Sequence, residues 1–216
     1  VPPLEFIPVA EQSGQIRDIG ALVLRQACRD AAAWSAAGHP LRVSVNVAVA
    51  QLKGRDFARQ VADVLTESGL PSHLLCLEIT ESSLMRADQR RTEDLVALRD
   101  LGVHLAIDDF GTGYSSLAYL HSLPVDELKI DRSFVNRLGS DSRDRHLVQA
   151  IIGMGTALGL TVVAEGVETE EQLAYLGERG CDVAQGFLFS PPQPADVFRA
   201  QLGSPTPGGA AARMRW

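Results

Sequence analysis

Acidic side chains recur at one kind of position in this chain. Glu78, Asp108, Asp109, Asp131 and Glu165 each stand at or just beyond the C-terminal end of a short apolar run, and Asn46, Lys129 and Gln185 occupy the same kind of place. Glu168 follows closely on Glu165. If these ends share one mouth, the acids crowd one another, and like charges that close raise each other's pKa and cost stability unless cations offset them. Lys129 alone cannot balance the set. The donors are oxygens, with an amide carbonyl from Asn46 and no His or Cys nearby, which suits Mg2+ or Mn2+ rather than zinc. The Asp108-Asp109 step is a natural bridge between two ions. Two ions about 3.5–4 Å apart are a common device for in-line attack of an activated water on a phosphodiester.

Each residue also has an ordinary reading. A lone Asn in a strand, as at Asn46, is usually a satisfied polar group, and an acid after a strand, as at Glu78 or Glu165, is often a helix N-cap. Lys129 is less ordinary: a lysine between Leu128 and Ile130 either snorkels or faces carboxylates. Gly111-Thr112-Gly113 reads as a turn or, following two candidate ligands, as a mobile loop over the site. The metal inference rests on the acids as a set.

Apolar, β-branched runs supply the elements that would position these groups. Strands are expected at Arg42–Val47, Leu74–Ile79, Val103–Ile107, Glu127–Ile130, Thr161–Ala164 and Asp182–Phe187. Helical patterns lie at Gln15–Ala37, Phe57–Ser68, Arg90–Leu101, Ser115–Ser122, Arg143–Leu158 and Glu170–Arg179, with Gly102, Gly159 and Gly180 placed to stop three of them. Such alternation implies parallel strands joined by crossover helices, either an open doubly wound sheet or part of a (β/α)8 barrel. In an open sheet of six strands the outer two would lie about 24 Å apart, at roughly 4.8 Å per neighbour, and their ends could not share a site. A barrel brings them to one mouth. A TIM-type α/β barrel is therefore expected, with its first two strands missing upstream, because the first patterned element is a helix.

The 216 residues suit one domain, expected over residues 1–202, followed by a flexible Gly-, Pro- and Ala-rich tail over residues 203–216. A hydrophobic content of 45% is ample for a core, and the net charge of −7 argues against non-specific nucleic-acid binding. No apolar run is long enough to span a membrane and no secretory signal opens the chain. Cys28, Cys76 and Cys181 are scattered, which implies small buried apolar residues in a reducing compartment, hence the cytoplasm. Opening on Val rather than Met, the chain reads as a piece of a longer protein.

Five separated motifs carry a resemblance. Glu78-Ile79-Thr80-Glu81-Ser82, the Asp108–Ser116 run DDFGTGYSS, Lys129-Ile130-Asp131, Ala164-Glu165-Gly166-Val167-Glu168 and Gln185-Gly186-Phe187 stand in the order and spacing of EAL domains, with Ser44-Val45-Asn46 beside them. The opening Pro3-Leu4-Glu5-Phe6-Ile7-Pro8 resembles the segment after that family's second strand. The resemblance implies a bacterial signalling phosphodiesterase that opens cyclic di-GMP to linear pGpG with two Mg2+ or Mn2+ ions. By position it implies that Asn46, Glu78 and Asp108 hold one ion and that Asp108, Asp109 and Glu165 hold the other. Lys129 would contact the attacking water or the phosphate, Asp131 would orient Lys129, and Glu168 and Gln185 would meet substrate. Glu81 would anchor the Asp108–Ser116 loop.

The family's Glu-Ala-Leu strand, with a further ligand and a substrate-binding Arg, lies outside this chain. Pro191 stands where the family usually has Arg. The resemblance further implies a homodimer and a sensor or GGDEF domain upstream in the parent protein, to which activity would belong rather than to these residues alone. The competing expectation is a non-catalytic EAL-type module that binds cyclic di-GMP or a protein partner.

Overall fold

The structure, a computed structural model, describes residues 1–52, 56–85, 89–113, 117–138 and 142–202. The expected C-terminal tail lies outside the described residues, as does the end of the Asp108–Ser116 loop. The chain divides into two compact units, Val1–Ala106 and Ile107–Trp216, with the boundary inside one strand.

The first unit opens with helices α1 (Pro3–Ser13) and α2 (Ile16–Ala36), then strand β1 (Val43–Asn46), α3 (Val49–Leu52) and α4 (Phe57–Ser68). Strand β2 (Leu75–Thr80), α5 (Glu81–Met85), α6 (Gln89–Asp100) and the start of β3 (His104–Phe110) complete it. Helix α2 buries Ile16, Leu24, Cys28 and Ala31, and α4 buries Phe57, Val61 and Val64; these spacings put one apolar stripe on each helix. Residues Leu75 to Ile79 of β2 are all buried, as expected of a parallel strand covered on both faces.

The second unit holds the end of β3, α7 (Leu117–Ser122), β4 (Glu127–Ile130), α8 (Arg132–Val135), α9 (Ser142–Ala157), β5 (Thr161–Ala164), α10 (Glu170–Glu178), β6 (Val183–Ala184) and α11 (Ala195–Gln201). All four residues of β4 are buried, Lys129 among them.

The six strands form one sheet in the order β1-β2-β3-β4-β5-β6. Val43 pairs with Leu75, Glu127 with Thr161 and Val163 with Val183, each in a parallel ladder. A doubly wound sheet reverses its strand order at a switch point, whereas a singly wound barrel-type sheet does not. The sequential order decides for the barrel class. Gly102, Gly159 and Gly180 have φ of 83°, 71° and 80°, the left-handed stops expected from the sequence.

The last strand is a correction: the Asp182–Phe187 run yields only Val183–Ala184 as strand. The amide of Gln185 still donates to the Ala164 carbonyl (2.8 Å) and the amide of Val167 to the Gln185 carbonyl (3.0 Å). The chain then turns, with the Phe189 amide donating to the Gly186 carbonyl at 3.1 Å. Gly186 makes that turn possible: a Cβ there would lie 2.2–2.8 Å from the Val167 backbone. No helix among the described residues is long and apolar enough to cross a membrane. All three cysteines are free and buried.

Candidate active site

In the first unit, Asn46 ends β1 and is in register with Glu78 of β2. Glu78 is only 5% exposed, while Asn46 is exposed. The Val47 amide donates to the Glu78 carbonyl at 2.9 Å, which fixes the backbone where β1 ends beside β2. Glu81, the first residue of α5, is 3% exposed, and the Thr80 and Ser83 hydroxyls hydrogen-bond across the same turn.

In the second unit the strand ends converge around Lys129. It is 3% exposed, and its Nζ lies 2.5 Å from Glu165 Oε1 and 3.5 Å from Asp108 Oδ1. Glu165 follows directly on β5, and its amide donates to the Ile130 carbonyl at 3.2 Å, which ties it to the end of β4. Asp108 Oδ1 is buried and accepts no hydrogen bond, so the 3.5 Å approach of Lys129 is an ion pair without a formed hydrogen bond. A buried carboxylate oxygen with no hydrogen bond, offset only by the Lys129 charge at 3.5 Å, is costly, and a further cation in contact with it would offset that cost.

Asp109 is the one described non-glycine residue with positive φ, at 55°. Bulky L-residues seldom adopt that conformation, although Asp and Asn tolerate it. Thr112 holds the turn, its hydroxyl donating to the Asp109 carbonyl at 2.8 Å. Burial pushes the Asp109 carboxyl above the ordinary range; the charges of Asp108 and Asp131 and a hydrogen bond with Asp131 add to this, and Lys129 opposes it. Asp131 is also the N-cap of α8, accepting from the Ser133 amide (3.0 Å) and the Ser133 hydroxyl. The ordinary reading of an acid after a strand thus applies to Asp131. Ser133, which holds it, has no distinctive signal in the sequence beyond its place in the first turn of a short helix.

Glu168 and Gln185 stand exposed on the segments after β5 and β6. The Glu168 amide donates to Gln172 Oε1 at 2.7 Å. The structure therefore gathers Asp108, Asp109, Lys129, Asp131 and Glu165, and places Glu168 and Gln185 on backbone segments tied to the Glu165 loop through Val167.

A divalent cation fits this donor set. Asp108 and Glu165 each offer a carboxylate oxygen, the two within 4.8 Å of one another, and Asp108 Oδ1 lacks a donor. Oxygen ligands of this kind suit hard divalent cations.

A parallel, sequentially ordered α/β sheet with acids and a buried lysine toward its strand ends defines a barrel-type α/β class with its polar groups gathered at one end. The model of the EAL domain family matches residues 1–192, and the chain belongs to that family. It is 49% identical over 193 residues to the cyclic di-GMP phosphodiesterase NbdA of Pseudomonas aeruginosa, covering 89% of this chain and 25% of that protein. Among solved structures it is similar to the PaMucR phosphodiesterase in complex with c-di-GMP, with a TM-score of 0.89 and 44% identity over 92% of this chain and 81% of that one. It is also similar to Klebsiella pneumoniae BlrP1 in a manganese/cyclic di-GMP complex, with a TM-score of 0.74 and 32% identity over 82% of this chain and 45% of that one. The fold is that of this TIM-barrel-like family. The chain spans about a quarter of the length of the curated relatives it matches.

Proposed function

We propose that this chain is the catalytic domain of a metal-dependent phosphodiesterase that opens cyclic di-GMP to linear pGpG. The observation that carries it is Lys129, buried between Glu165 and the orphaned oxygen of Asp108. Neither a core nor a solvated surface calls for that arrangement, whereas a site that takes cations and phosphate does. Cyclic di-GMP as the substrate is supported by the names of the related phosphodiesterases and by the complexes of related structures.

In this proposal Asn46, Glu78 and Asp108 hold one Mg2+ or Mn2+, and Asp108, Asp109 and Glu165 hold a second. Such ions lower the pKa of a water and offset phosphate charge. Lys129, paired with two carboxylates, faces the charge that develops on the phosphoryl oxygens. Glu165 orients Lys129 through their 2.5 Å contact. Asp131 orients the end of β4 while its carboxyl is held by Ser133. Glu168 and Gln185, exposed at the mouth, are assigned to the substrate, and Glu81 to anchoring the Asp108–Ser116 loop. A homodimer, a sensor or GGDEF domain upstream in the full-length protein and a cytoplasmic setting complete the proposal; the three free, buried thiols support the last.

The test is to incubate the full-length protein with cyclic di-GMP and Mn2+ and follow the linear dinucleotide. Lys129→Met and Glu165→Gln are expected to lower kcat by at least about 100-fold, the scale of positioned acid–base and electrostatic groups. Tight binding of cyclic di-GMP by the wild type without turnover would replace the catalytic reading with that of a binding module.

A further inference from the structure

Gln172 lies outside every residue assigned above, on the first turn of α10. Its side-chain oxygen accepts two backbone hydrogen bonds, from Glu168 (2.7 Å) and Thr169 (3.0 Å). Its side-chain nitrogen donates to the Val135 carbonyl at 3.2 Å. Its own amide donates to Thr169 Oγ1 at 3.2 Å, which completes a capping box.

The two halves of this amide do different work. Capping needs only an acceptor, and a glutamate would cap at least as well, since its charge suits a helix N-terminus. Donation to Val135 needs the NH2 group. Val135 ends α8, whose first residue follows Asp131 directly. Glu168 and Thr169 end the loop that begins at Glu165. One side chain therefore joins the Glu165 loop to the short helix that Asp131 caps. The two segments pack closely: Gly166 has φ of 70°, and a Cβ there would lie 2.6 Å from Arg132 Cβ.

We propose that Gln172 is a positioning residue, whose bond to Val135 sets the spacing between the Glu165 loop and the Lys129–Asp131 strand end. Its consequence for turnover rests on the phosphodiesterase reading; the tie itself does not.

The test compares Gln172→Glu with Thr169→Ala in the full-length protein. Q172E keeps the acceptor and loses the donor, while T169A weakens the capping box and leaves all three Gln172 side-chain bonds. Amide hydrogen exchange at Asn136, Arg137 and Leu138 is expected to quicken at least tenfold in Q172E and to stay unchanged in T169A. Q172E should melt no lower than T169A, yet show kcat for cyclic di-GMP lowered about tenfold with KM nearly unchanged. T169A should keep its kcat.

Wild-type exchange at those three amides in Q172E overturns the proposal, as does faster exchange that merely follows a common fall in Tm in both variants. If Q172E does not fold, Gln172→Ala, which removes acceptor and donor together, is compared with T169A, and exchange at those three amides must quicken beyond what the difference in Tm between the two variants accounts for. A wild type that does not turn over cyclic di-GMP defeats the phosphodiesterase reading, while the exchange pattern still decides the role of Gln172.

Discussion

Asp109 combines a left-handed backbone with a carboxyl that burial and its acidic neighbours push above the ordinary range. Between the ordinary carboxylate range and that raised value, the folded state holds a proton there that the unfolded chain has already released. Its contribution to stability is present below the ordinary carboxylate range, near about pH 4. That contribution is lost as pH rises through the raised value. Asp109→Asn retains a residue type that accepts positive φ and removes the charge. In the presence of chelator, the variant should melt above the wild type at pH 7, with the gap closing toward pH 4; equal Tm values at both would contradict this.

Burial also pushes the Cys28 and Cys181 thiols up to about 11. A thiol-specific disulfide reagent at pH 8 should then leave Cys28 and Cys181 unmodified in the native chain and modify them, with Cys76, after denaturation. Raising the pH from 8 to 9.5 should leave the native protection intact. At this scale the sequence was most legible where residue type and place conflict. Lys129 inside an apolar strand stands out by itself, and the structure buries it among carboxylates. The positive φ of Asp109 has no such mark, because many aspartates sit in ordinary conformations.

Gly186 joins two elements by backbone contact alone. The Val167 nitrogen and carbonyl oxygen lie 2.3 and 2.2 Å from where its Cβ would be, and neither belongs to a flexible side chain. Gly186→Ala should destabilise the chain by about 2–3 kcal/mol through overpacking. In a chain of this size that is a fall in Tm of roughly 4–12 °C, measurable by calorimetry. A shift within 1 °C, roughly the scatter of neutral surface changes, would show that the close approach relaxes freely.

Strands β2 to β5 were readable because they are nearly continuous buried runs, whereas β1, with Val45 alone buried, was readable from its β-branched residues. The elements that were not readable are short or disguised. Helix α1 carries Pro8 in its interior, which argues against a helix, although Pro3 suits a first turn. Helices α3, α5 and α8 are too short for a 3.6-residue period to declare itself. The shortness of β6 depends on a turn at Gly186 that its apolar run conceals. Thr169 and Gln172 form a capping box in the structure, a start signal on which the expected helix Glu170–Arg179 did not rest.

For the whole molecule, the net charge of −7 adds to the local repulsion among the strand-end acids. A bound divalent cation offsets both, and a ligand that binds only the folded state stabilises it by mass action. Mn2+ at about 100 times its Kd should stabilise the chain by roughly 2.7 kcal/mol. Asp108→Ala should abolish most of that gain while leaving the metal-free Tm unchanged or higher. Mn2+ that raises the Tm of both proteins equally would place binding elsewhere. The fold class was legible at this scale because six strand ends with chemistry on them fit only a singly wound sheet.

That sequential strand order also bears on how the chain reaches its native state. Val43 meets Leu75, Glu127 meets Thr161 and Val163 meets Val183, so each of these ladders joins residues a single crossover apart. Loop closure over such spans is entropically mild, and local pairing shortens the search. None of these ladders waits for a distant stretch of sequence to arrive. Each new strand docks on the one made just before it, so the sheet can grow in the direction of synthesis, with the strand that bears Lys129 in place before the segment that brings Glu165.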